Sequence, residues 1–124
     1  MIIDTTILVD LFRNNPEAKR FLLEEQNLGI SRISMIELVY GSPSKNKLLL
    51  IQKQISALNI EIVEISETIS LLGGKIFDSY FHTTGIGILD AFIAATAISS
   101  GNSLATHNLK HFQKIKDLKV VKPY

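Results

Sequence analysis

The alternation of short apolar runs with helix-patterned stretches constrains this chain more than any other feature. Met1–Asp4 is an apolar run ending in an acid, and Thr5–Asn14 then sets Ile7, Leu8, Leu11 and Phe12 on one side of a helix. Pro16 suits a first helical turn, so PEAKRFLLEEQN, residues 16–27, reads as a second helix, with Gly29 marking the next break. Leu28–Ser31 is a brief strand, Ser34–Gly41 a helix stopped by Gly41, Ser42 and Pro43, and Lys45–Leu58 a longer helix. Ile60–Ile65 alternates as a strand does, Glu67–His82 returns to helical spacing, and Thr83–Gly87 is a loop. The order then repeats, with helix Asp90–Ser100, strand Ser103–Thr106, helix Asn108–Ile115 and strand Leu118–Val121. Such repetition predicts an α/β domain of three layers, a central parallel sheet of four to five strands flanked by helices. In sheets of this kind the ligand site lies at the carboxyl ends of the strands.

With 124 residues, 46% of them hydrophobic, the chain fits one globular domain over residues 1–124 and leaves no room for a second. It contains no cysteine, which excludes disulfides, thiolate metal sites and a cysteine nucleophile. Any metal is therefore held by oxygen or histidine. No apolar run approaches the roughly 18 residues that span a bilayer, and MIIDTTILVDLF carries acids where a signal peptide carries Lys or Arg, so a cytoplasmic protein is expected. A net charge of +1 gives no argument from overall basicity. From Lys110 to Tyr124, however, there are five lysines and one acid, Asp117, a tail that suits phosphates as well as it suits solvent.

Three acids stand just past predicted strands or at the start of helices. Asp4 closes the first strand, Glu37 follows the second by about a turn, and Asp90 opens the helix that leads to the strand around Leu104. Asp4 and Asp90 also have a purely structural reading, because aspartate is a favoured helix N-cap. Glu37 resists one: in ISMIELVYG, Ile33 and Tyr40 at helical spacing put it on an apolar stripe. Gathering ionised carboxylates costs desolvation and mutual repulsion, and a hard divalent cation relieves both. Mg²⁺ and Mn²⁺ take oxygen ligands and keep several waters. Zinc suits the chain less, since His82 stands alone and His107 and His111 have no third ligand at recognisable spacing.

These segments resemble the PIN-domain family, particularly its small toxin members of the VapC type. The likeness rests on DTTILVDLF with Asp4, ISMIELVYG with Glu37, GIGILDAFIAATA with Asp90, and LATHNLKHF, in the family's order and approximate spacing. It implies a doubly wound domain, Mg²⁺ or Mn²⁺ in an acidic pocket, endonucleolytic cleavage of RNA, a homodimer and inhibition by a cognate antitoxin. Asp4, Glu37 and Asp90 match the family's main metal-binding acids, Thr6 the residue supporting the first, and Thr106 the polar residue after the fourth strand. The chain departs from the pattern at the fourth acid, where Asn108 or His111 stands instead.

Phosphodiester hydrolysis needs an activated water and neutralisation of the developing charge, which a bound divalent ion supplies. Asp4, Glu37 and Asp90 are expected to hold it. Asp10 reads as a surface charge, while Arg13, Arg32 and the terminal lysines are candidates for steering RNA phosphates. Two other readings compete with this one. One is a catalytically silent PIN-like module that binds RNA or a partner. The other is a phosphatase with an aspartyl nucleophile, which needs an acid where Thr6 stands.

Overall fold

The computed structural model describes every residue, Met1–Tyr124. Five strands, β1 (Ile2–Ile3), β2 (Gly29–Ser31), β3 (Glu61–Val63), β4 (Leu104–Ala105) and β5 (Val120–Val121), pair in parallel in the order β3-β2-β1-β4-β5. Seven helices connect them: α1 (Thr5–Phe12), α2 (Pro16–Glu24), α3 (Arg32–Gly41), α4 (Lys45–Ala57), α5 (Glu67–Thr84), α6 (Ile88–Ser99) and α7 (Leu109–Phe112). The architecture is the expected three-layer α/β sandwich. No helix is long and apolar enough to cross a membrane.

Neighbouring residues of one strand serve opposite faces, as the pleat requires. Ile2 and Leu104 pack into a core with Ile76, Ile93 and Phe112 under α5 and α6. Ile3 and Ala105 face a second core with Ile7, Leu22, Met35 and Ile55 under α1, α2 and α4. Both cores consist of side chains that are almost wholly buried, so the sheet is covered on both sides. The central strand β1 has its successors β2 and β3 on one flank and β4 and β5 on the other. The switch in winding direction therefore falls between β1 and β4, where open α/β sheets place their ligands.

Several element ends differ from expectation. Helix α3 begins at Arg32 rather than Ser34, because the Ser31 hydroxyl accepts the Ile33 amide and caps it two residues earlier. Helix α5 runs on to Thr84, where Gly85 closes it in a left-handed conformation at φ 70°. Helix α6 starts at Ile88 with Gly87 as its N-cap, so Asp90 is its third residue and caps nothing. Helix α7 covers four residues only, ending at Phe112.

Candidate active site

Strand β1 ends at Ile3, and the next residue, Asp4, stands at the carboxyl edge of the sheet, 5% exposed. It occupies the N-cap position of α1 without capping it. Its carboxylate is held sideways: the Thr106 hydroxyl donates to Oδ2 at 2.7 Å and the Thr6 hydroxyl at 3.3 Å. Thr106 follows β4, is fully buried, and also accepts the Asn108 backbone N–H at 3.0 Å. The two strands that meet at the topological switch thus share one carboxylate and one hydroxyl.

Glu37 reaches the same edge from the middle of α3. The stripe expected around it is not where the sequence pattern placed it, since Tyr40 is 93% exposed and Ser34, Met35 and Leu38 form the buried face. Glu37 borders that face, half-buried, and its Oε1 accepts the Thr5 hydroxyl at 2.8 Å. The sequence pattern does not single out Thr5. Only its place directly after Asp4 hinted at a role, and nothing local links it to a residue 32 positions away.

Asp90 arrives from the first turn of α6. Its Oδ2 lies 3.1 Å from His111 Nδ1, and the same ring nitrogen lies 2.8 Å from Asn108 Nδ2. His111 and Asn108, the two candidates for the place of the fourth acid, thus both stand beside Asp90. His82 is exposed on α5. His107 turns its ring against Tyr124, with centroids 4.4 Å apart.

The three acids feel one another. Burial raises the Asp4 carboxyl above its ordinary pKa, the Thr106 hydrogen bond opposes this, and the charge of Asp90 pushes it up again. Burial likewise raises Glu37, the Thr5 hydroxyl opposes, and both Asp90 and Asp4 add to the rise. No lysine or arginine pairs with any of them; the ion pairs of the molecule are Arg32–Glu64 and His111–Asp90. The donors are oxygens and one imidazole, a set suited to Mg²⁺ or Mn²⁺. As they stand, no three acidic or histidine side chains converge closely enough to enclose an ion.

A groove of about 260 Å³ leads away from Thr5 and Glu37 between α1, α3 and α4, with Phe12 and Ile51 in its wall and Arg13 and Lys47 at its rim. Arg32 points elsewhere and is tied to Glu64 through two hydrogen bonds. Asp10 is not part of the acidic trio, nor is it free in solvent: its Oδ2 accepts the Tyr124 hydroxyl at 2.8 Å.

The family model for the PIN domain matches residues 1–118. The chain belongs to the PIN-domain family. It is 35% identical to ribonuclease VapC19 of Mycobacterium tuberculosis over 94% of this chain and 95% of that one. It is 29% identical to the tRNA(fMet)-specific endonuclease VapC of Salmonella typhimurium, covering 96% of this chain and 94% of the other. Among solved structures, a toxin–antitoxin complex from Klebsiella pneumoniae contains a chain that superposes with a TM-score of 0.80 at 32% identity, covering 99% of this PIN domain protein and 97% of that chain.

Proposed function

We propose that this PIN-domain protein is an endoribonuclease dependent on Mg²⁺, with Mn²⁺ as a substitute, and the toxin of a toxin–antitoxin pair acting in the cytoplasm. The observation that carries the reading is that Asp4, Glu37 and Asp90, from three separate elements, stand near the carboxyl edge of the sheet with no lysine or arginine paired to any of them. Relatives named as ribonucleases and a structural neighbour that is a toxin–antitoxin complex support the substrate class and an antitoxin partner.

Asp4, Glu37 and Asp90 would hold the ion; burial, with the charge of neighbouring carboxylates adding to it, raises the proton affinity of Asp4 and Glu37. A divalent cation bound there neutralises phosphate charge and lowers the pKa of water. The remaining work belongs to neighbouring side chains. Thr106 and Thr6 fix one oxygen of Asp4, Thr5 fixes one oxygen of Glu37, and His111 engages one oxygen of Asp90. Each carboxylate is thereby oriented while its second oxygen is left without a side-chain donor. Arg13 and Lys47 on the groove rim supply positive charge for an RNA backbone entering beside Glu37.

A homodimer is part of the proposal. Helices α3 and α6 leave Ile36, Val39, Tyr40, Ile88 and Leu89 exposed, an apolar surface suited to a second copy.

The test is Asp90→Asn, which is expected to fold like wild type and lose nearly all cleavage of an RNA panel in Mg²⁺. Undiminished cleavage would remove the assignment. The open arrangement of the acids favours one rival, a PIN-like module that binds RNA or a partner without cutting. Wild-type cleavage that appears with Mg²⁺ and vanishes with EDTA excludes it.

A further inference from the structure

Around Asp90 two groups compete for one ring nitrogen. His111 Nδ1 faces Asp90 Oδ2 at 3.1 Å and Asn108 Nδ2 at 2.8 Å. A ring nitrogen offers either a proton or a lone pair, never both. With a proton on Nδ1, the Asp90 contact is a hydrogen bond, but the Asn108 amide then meets it hydrogen to hydrogen. With Nδ1 bare, Asn108 donates to it, and the Asp90 carboxylate faces a lone pair. Turning the Asn108 carboxamide over exchanges its oxygen and nitrogen. That removes the clash and leaves a carboxylate oxygen and an amide oxygen sharing the one Nδ1 proton in a three-centre hydrogen bond.

Nothing nearby relieves this competition. Asp90 stands in the field of Asp4 and Glu37, and no lysine or arginine pairs with it. The Asn108 side chain is not committed to capping α7, although it occupies the N-cap position. The His111 and Asp90 side chains are 28% and 23% exposed, so the pair is open to an ion from solution.

A cation satisfies all three groups together by accepting a lone pair from each. The spacing agrees. Two ligands at right angles on an ion, with bonds of about 2.1 Å, stand about 3.0 Å apart, and Asp90 Oδ2 and His111 Nδ1 are 3.1 Å apart. Resting on the reading of Asp4, Glu37 and Asp90 as metal ligands, we infer that His111 is a further ligand through Nδ1 and turns the site's ion preference from Mg²⁺ toward Mn²⁺. Mg²⁺ takes oxygen ligands and gives up water reluctantly, whereas ions further along the transition series accept imidazole more readily. An imidazole in place of another carboxylate also lowers the negative charge of the donor set, which weakens a purely electrostatic hold on Mg²⁺.

The experiment adds Mn²⁺ to protein stripped with EDTA and reads nitrogen coupling to the bound ion by pulsed electron paramagnetic resonance, with no RNA present. Wild type is expected to show a directly bound nitrogen. His111→Asp is expected to bind Mn²⁺ without that coupling, and its ratio of Mn²⁺ to Mg²⁺ affinity is expected to fall by about tenfold or more, the scale on which ligand-shell changes alter metal binding. His82→Ala, on the exposed face of α5, leaves the coupling intact. Bound Mn²⁺ without nitrogen coupling in wild type overturns the ligation by His111 and leaves the carboxylate site standing. Coupling that survives in His111→Asp assigns the nitrogen to another group and overturns it too. Failure of wild type to bind either ion overturns both readings. The wild-type spectrum decides the matter even where the variant folds poorly.

Discussion

At the scale of single residues, Thr106 carries more than its size suggests. It is fully buried, donates to Asp4 and accepts from the Asn108 amide. Thr106→Val fills the same space but leaves a buried carboxylate and a backbone N–H each short of a partner. Its expected cost is about 1–3 kcal/mol, with Thr106→Ser recovering most of it. Denaturant titration in EDTA measures this directly. Asp4 gives a second prediction. Its folded pKa lies above the ordinary value, so the folded form binds protons more tightly than the unfolded chain. Ionisation therefore costs the fold. Metal-free stability is favoured below the ordinary carboxyl pKa of about 4 and declines as pH rises through the raised folded value. Asp4→Asn removes that slope at one site, and the variant should gain on wild type as pH rises from about 4 to about 8. A stability difference independent of pH, measured as urea midpoints in EDTA, contradicts the raised value.

At the scale of elements, the order of strands and helices was legible because apolar periodicity is written over many residues at once. The layering followed from it, since a strand of two buried residues such as Ile2 and Ile3 needs a cover on each face. Boundaries were less legible, because they turn on single capping contacts. Ser31 starts α3 by accepting one amide, and Gly87 starts α6 with no side chain at all. The placing of Asp4, Glu37 and Asp90 near the strand ends was visible in the spacing. Their supports were not: Thr5 meets Glu37, and His111 meets Asp90, only after helices have folded back across the sheet. One close contact lies where α5 packs against α6, the helix that carries Asp90. A Cβ on Gly73 of α5 would lie 2.9 Å from the Phe92 ring. Gly73→Val is expected to destabilise by about 1–3 kcal/mol through overpacking. Thermal unfolding reports that loss, and cleavage should fall further than stability alone explains, because α6 must shift.

At the scale of the whole molecule, charge is distributed so that the cations on the groove are unpaired while another, away from it, is spent. Arg13 lines the groove that opens beside Glu37, whereas Arg32 is paired with Glu64. Arg13→Ala should weaken RNA binding across sequences, raising KM with kcat nearly kept, and should reduce the salt slope of binding by about one. Arg32→Ala should change the slope less. Tyr40, almost entirely exposed on α3, tests the proposed dimer: Tyr40→Glu should shift sedimentation to the monomer while the isolated chain stays folded.

The bond between Thr106 and Asp4 spans 102 residues of chain, and β1 stays open on one flank until β4 pairs with it. Contacts of such separation form late, after the cost of closing a long loop has been met. While the chain is being made, β1, α1 and α3 emerge well before residue 106. A ribosome therefore carries an incomplete centre for most of synthesis. The carboxyl edge that carries Asp4 takes its final form only when the last fifth of the polypeptide closes the sheet.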